Sequence, residues 1–155
     1  MSHLRSRKIV DLNIIKLDSL LKVIETSIIP LTQKSVKNGN KIFGASILYK
    51  HDCSELLSAV NNEIESPLWH GEMSALKRFY ELTNRPKPKD LIFLSTHEPC
   101  SMCLSAITWA GFDNIFYFFS YEESKDDFAI PHDLLIMKEV FSLKTGEYRR
   151  KNHYW

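Results

Sequence analysis

A histidine and a glutamate stand two positions apart in WHGEM (Trp69–Met73), and thirty residues after that histidine the stretch EPCSMCL (Glu98–Leu104) carries two cysteines. If Pro99 starts a helix, Cys100 and Cys103 lie on one face of its first turn. There the positive end of the macrodipole lowers thiol pKa, so both are expected as thiolates. His70 adds an imidazole, completing a one-nitrogen, two-sulfur set of the kind that binds zinc and leaves a fourth position for water. Glu72 is then within reach of that water as a proton shuttle, while the soft ligands hold the ion. Blander chemistry uses the same residues: a C-x-x-C is also a redox pair or half of a structural zinc site. A redox motif has no use for an H-x-E upstream. A closed zinc site needs a fourth protein ligand, for which His97 is the nearest candidate, although a place on the loop lining a pocket, or in solvent, suits it better. His51 and Cys53 form a weaker pair, and Cys53, the odd cysteine, reads as a small buried hydrophobe.

Both motifs must be carried by elements that bring them together. GEMSALKRFYEL (Gly71–Leu82) spaces Met73, Leu76, Phe79 and Tyr80 helically, and SMCLSAITWAG (Ser101–Gly111) has Pro99 near its start and Gly111 past its end, so each motif opens a helix. Strands are expected at KIFGASILYK (Lys41–Lys50), with Gly44 a small spot within it, at LIFLST (Leu91–Thr96) and at NIFYFFS (Asn114–Ser120). An amphipathic helix over Ile9–Ile29 should end at Pro30, SVKNGN (Ser35–Asn40) should turn, and two short helices should follow near Glu122–Ala129 and Leu134–Phe141. Strand, helix, strand, helix, strand implies parallel pairing through crossover helices and a sheet covered on both faces. The expected class is α/β, three layers.

The chain has 155 residues, 44% of them hydrophobic and 25% charged, with a formal net charge of +1. These values fit one soluble globular domain over 1–155 and exclude disordered and fibrous classes. The near-neutral balance offers no long-range pull on RNA, though Arg149, Arg150 and Lys151 are locally basic. No apolar run is long enough to span a membrane, and the N-terminus lacks a secretory pattern, so cytoplasmic residence is expected.

His70–Gly71–Glu72 followed by Pro99–Cys100–Ser101–Met102–Cys103 resembles the H-x-E and P-C-x-x-C pattern of the cytidine deaminase superfamily of zinc deaminases, with matching helix and strand context from about Lys41 to Ser120. HGE looks like fungal cytosine deaminases, whereas PCSMCLSAITWAG is at least as similar to bacterial guanine deaminases and tRNA adenosine deaminases. The resemblance implies a three-layer α/β/α sandwich whose mixed sheet has parallel strands around the zinc-bearing helices, and a homodimer. It implies zinc held by His70, Cys100 and Cys103, hydrolytic replacement of an amino group by a carbonyl with loss of ammonia, and Glu72 as the group that moves protons. Asn61 or Asn62 would hydrogen-bond the base. Trp69, Trp109 and Phe118 are candidates to stack on it, with Trp109 preferred. Asp126, Asp127 or Asp133 would accept from an exocyclic amine, and the tail His153–Trp155 would be a lid, a solvent-exposed tail or a dimer contact. A small nucleobase or nucleoside, such as guanine or cytosine, is the favoured substrate. Deamination of adenosine or cytidine in RNA, and a catalytically silent zinc-binding subunit, are the alternatives.

Overall fold

The structure, a computed structural model, describes residues 16–141. Helical turns over residues 16–23 pass through a π-helical stretch, Ile24–Ile28, into helix α1 (Ile29–Lys37). Pro30 therefore does not end the helix. A proline inside a helix lacks its N–H and its ring crowds the carbonyl four residues back; here the wider π turn immediately precedes it, and Pro30 falls in the first turn of α1, where the missing donor costs least. The part of the expected helix before residue 16 lies outside the described residues, as do Arg149, Arg150, Lys151 and the His153–Trp155 tail.

Strands β1 (Gly44–Tyr49) and β2 (Glu55–Val60) form an antiparallel hairpin pairing Gly44 with Val60 and Ile47 with Leu57. Its turn holds Asp52, whose carboxylate accepts from the Ser54 amide at 2.9 Å, and Cys53 at φ 58. Helix α2 (Gly71–Glu81) and a 3-10 turn (Pro88–Asp90) lead to β3 (Leu91–His97), which pairs antiparallel with β1. Helix α3 (Ser101–Trp109) leads to β4 (Ile115–Phe119), parallel to β3. The sheet order is β2-β1-β3-β4, and α4 (Tyr121–Phe128) and α5 (His132–Glu139) follow.

The sheet is mixed, as the resemblance implies; the antiparallel pairing of β1 with β2 and β3 departs from the parallel pairing that the strand–helix order alone implies. Strand β2 was absent from that reading because ELLSAV is a half-exposed edge strand with a glutamate and a serine in it and little β-branching. Its presence reverses the chain once, so β2 and β3 run the same way on either side of β1, and α2 is the crossover between those two. The mixed sheet is covered on both faces. Ala45, Ile47, Ala59, Leu91 and Phe93 pack against Ala75, Leu76 and Phe79 of α2 and Ile107 of α3. Leu48, Ile92 and Leu94 point the other way, onto Leu20, Val23 and Cys53. That alternation is the period-two signature of strands buried on both sides, and it makes three layers.

Candidate metal centre and cavity

Because β2 and β3 are parallel, the helices that follow them start at the same edge of the sheet, outside the strands' carboxyl ends. His70 is the residue capping α2 and Cys100 the residue capping α3, each in extended conformation. The two segments, far apart in sequence, thus meet at two helix N-termini.

Close approach requires glycine. A Cβ on Gly71 would lie 2.8 Å from the Gly44 Cα and 3.2 Å from the Ala45 amide nitrogen, both rigid backbone. A Cβ on Gly44 would meet Ile28 Cγ2 at 2.6 Å. The Gly44–Gly71 contact seats the start of α2 directly on β1. Asn61, 1% exposed, pins the same turn: its Oδ1 accepts the Gly71 N–H at 2.6 Å. Its Nδ2 is buried.

His70 Nδ1 lies 3.6 Å from Cys100 Sγ and 3.6 Å from Cys103 Sγ. One ring nitrogen has a single hydrogen or a single in-plane lone pair, so it cannot serve two sulfurs at once. A tetrahedral zinc with Zn–S near 2.3 Å and Zn–N near 2.05 Å sets an N···S edge of about 3.6 Å, the separation found on both sides. The donor atoms of His70, Cys100 and Cys103 all lie within 4.8 Å of one another, and this is the one group of three such residues among those described that is able to hold an ion. The residues present fit zinc.

Cys100, which accepts from the Cys103 thiol and from the Cys103 amide at 3.4 Å, is held down to about 4. Cys103, giving its hydrogen to Cys100 and buried, is pushed up. A coordinated cation would hold both sulfurs as thiolates, since metal ligands bind deprotonated. His70 is raised, chiefly by its contact with Cys100.

Glu72 is 6% exposed and its Oε1 accepts from Ser95 Oγ at 2.8 Å. Burial pushes its carboxyl upward, with the Ser95 hydroxyl working the other way. Serine 95 was not singled out by sequence; it sits on β3 opposite Ala45. The cysteine loop is fixed by partners that sequence also missed. Glu98 accepts from the Tyr121 amide at 3.2 Å, and its own amide donates to the Phe119 carbonyl at 2.7 Å. The Tyr121 hydroxyl donates to the Pro99 carbonyl.

His70, Glu72 and Cys100 open on a cavity of about 330 Å³, also lined by Phe43, Leu68, Met102, His97, Ile130, Asp133 and Ile136. His97 is thus a wall residue, 8% exposed, and not a fourth ligand. Asp133 faces the cavity, and burial raises its carboxyl to about 6. Asp126 and Asp127 are exposed on α4 and do not line it. Nor do several other candidates. Asn62 is exposed and donates to Glu65 at 2.6 Å. Trp109 is 91% exposed at the last residue of α3, nine residues and therefore about 13 Å along the axis from Cys100, too far to cover the site. Trp69 lines a neighbouring cavity under Lys77, 5.0 Å from its ring, and Phe118 packs on the far face of the sheet. The aromatic residue that does face the site is Phe43, one position before β1, unmarked in the sequence among other apolar residues.

The chain matches the family model described as the cytidine and deoxycytidylate deaminase zinc-binding region over residues 22–119. It is 31% identical over 100 residues to the guanine deaminase of Bacillus subtilis (strain 168), a stretch that is 63% of this chain and 62% of that enzyme. The chain thus spans under two thirds of that relative in the sequence match. The crystal structure of guanine deaminase from Bacillus subtilis superposes with a TM-score of 0.63 at 26% identity, covering 82% of this chain and 85% of the other. Two more distant structures share the fold: a protein in complex with 2,6-diaminopurine (TM-score 0.53, 16% identity, 64% and 56% covered) and a tRNA:A34 deaminase (TM-score 0.53, 18% identity, 68% and 86% covered). The zinc-binding motifs, the sheet order around them and the family match over residues 22–119 place this chain in the cytidine and deoxycytidylate deaminase zinc-binding family, to which it belongs.

Proposed function

We propose that the protein is a zinc-dependent nucleobase deaminase that replaces the amino group of a guanine-like purine by a carbonyl and releases ammonia. The observation that carries this is the placement of His70 Nδ1 at 3.6 Å from both sulfurs, with the buried Glu72 opening on the same cavity. His70, Cys100 and Cys103 hold the metal. Zinc, when bound, lowers the pKa of water from 15.7 to about 7 and so makes a nucleophile available at neutral pH. Glu72 takes one proton from the attacking water and passes it to the ring nitrogen beside the attacked carbon; it then takes the remaining proton of the hydroxyl added to that carbon, as the carbonyl forms, and delivers it to the departing amine. One water is consumed, the C–N bond breaks, and ammonia leaves. Burial keeps the Glu72 proton affinity high enough for it to act as acid as well as base, and Ser95 holds the carboxyl in one orientation. Asn61 positions the helix start through Oδ1; it lines the neighbouring cavity beside Trp69, not the one that Glu72 opens on. Asp133 is the carboxyl placed to accept from an exocyclic amine, and Phe43, Leu68, Met102 and Ile136 supply apolar wall for a flat ring.

A free base suits this cavity better than RNA. Lys41, the cation on its wall, is paired with Glu63 at 2.8 Å, leaving it poorly available to phosphate. The match to the Bacillus subtilis guanine deaminase supports the choice of guanine over cytosine. Among the described residues no helix is long and apolar enough to cross a membrane; cytoplasmic residence is part of the proposal. So is a homodimer, for which the exposed Trp109 and Tyr80, whose hydroxyl donates to the Ala110 carbonyl at 3.3 Å, offer an aromatic patch beside the end of α3. Ammonia release measured across guanine, cytosine, adenine and their nucleosides tests the reaction. Zinc content without ammonia from any of them would show a silent zinc module instead.

A further inference from the structure

His97 has no part in the proton transfers above, yet it lines the cavity that Glu72 opens on. It is the last residue of β3 and 8% exposed, enclosed by three aromatic rings. The Phe43 ring meets it edge-on at 4.5 Å between centroids, Phe128 edge-on at 5.4 Å, and Phe119 lies tilted at 5.0 Å. Nδ1 is 2.9 Å from Thr96 Oγ1, and that oxygen accepts the Gly44 N–H at 3.2 Å. The Thr96 hydroxyl still has its own hydrogen to give, and when it gives it to Nδ1 the ring hydrogen stands on Nε2, the tautomer that the inference below requires. Desolvation by this surround holds the imidazole down to about 4, so the ring is neutral at neutral pH. Nε2 is buried with no hydrogen-bond partner. Folded proteins rarely leave a buried donor unpaired, and where they do a functional partner is the first explanation to test.

We infer that His97 is a specificity-determining residue whose Nε2–H donates to an acceptor atom of the substrate, O6 or N7 of a guanine-like purine. The inference rests on the proposed function, because it supposes a base in this cavity. A neutral donor under apolar rings suits a neutral carbonyl or ring nitrogen. Nε2 itself has no exposed surface, so the acceptor reaches it only as a covering side chain gives way.

Two amide substitutions separate a ligand contact from a structural one. His97→Asn keeps an amide near the position of Nδ1 and so the Thr96 contact, but has nothing at Nε2; His97→Gln puts its amide nitrogen near Nε2. Zinc-loaded wild type and both variants would be assayed for kcat and KM with guanine, 2-aminopurine (no O6) and 7-deazaguanine (no N7), with zinc content and melting temperature recorded. The expected result is that wild type prefers guanine over at least one analogue by about tenfold or more in kcat/KM. His97→Gln keeps most of that ratio, and His97→Asn reduces it to within about threefold, through KM. If Asn does not fold, His97→Phe, which retains a ring among the aromatics without either nitrogen, is read in its place. An unchanged ratio in the Asn or Phe variant, or a uniform loss on all three bases, overturns this inference while leaving the proposed reaction standing. Absence of ammonia from every base with wild type overturns both.

Discussion

Glu72 and the three ligands make separable contributions, and substitution should divide them. Glu72→Gln preserves size and the Ser95 contact but cannot carry a proton, so it should retain about one zinc per chain while kcat falls by about 10² to 10⁴. Metal analysis beside ammonia release checks this, and normal turnover in the variant would remove Glu72 from the mechanism. Cys103→Ala should instead lose the metal and lower the melting temperature, since a ligand site contributes its binding energy to folding. His97 has a pH signature of its own. Its folded pKa, about 4, is below the unfolded value of about 6.5, so the native state binds fewer protons in that window. Its contribution to stability is therefore complete above pH 6.5 and is lost as pH falls toward 4. Urea melts from pH 4 to 7 should show a shallower slope for His97→Phe than for wild type.

At the scale of elements, the site depends on how closely α2 sits on β1. Gly71→Ala would push a methyl into the Gly44 backbone, which has no rotamer to yield. It should cost about 1–3 kcal/mol in denaturant unfolding and, by shifting His70 and Glu72 together, weaken zinc binding as well. An alanine variant with unchanged stability and zinc affinity would show that this approach is not needed. Much of this arrangement is legible in the chain: helix-opening motifs need only local signals, proline and glycine punctuation together with apolar spacing, and those placed α2, α3 and the four residues at the centre. What was not legible depends on the tertiary neighbours of each segment. Strand β2 is half exposed and carries polar residues, so its pattern is faint, and missing it inverted the direction of β1 relative to β3. Pro30 follows a π turn that no composition rule announces. Phe43, Ser95 and Glu98 have ordinary types in ordinary places and acquire their roles only from what the sheet sets opposite them. Trp109 is the reverse case, conspicuous in sequence and placed by helix length away from the cavity.

For the whole molecule, a three-layer sheet puts two crossover helices with their positive ends at one edge, which is where a site for sulfur ligands and a polar base is most readily built. The exposed aromatic patch beside the end of α3 is a separate feature of the surface. Under the proposal it lies between two copies, so Trp109→Glu should convert a dimer to a monomer in sedimentation velocity while leaving zinc content unchanged. A wild-type monomer at tens of micromolar would remove the dimer from the account. The central claim, that a His–Cys–Cys metal site and a buried glutamate hydrolyse an amino group from a base, is tested most directly by ammonia release from guanine with chelator-stripped protein before and after one equivalent of zinc. The account predicts no release from the stripped protein, restoration by zinc, and none from zinc-loaded Glu72→Gln. Equal release with and without the metal, or none in either state from guanine or any other base, would contradict it.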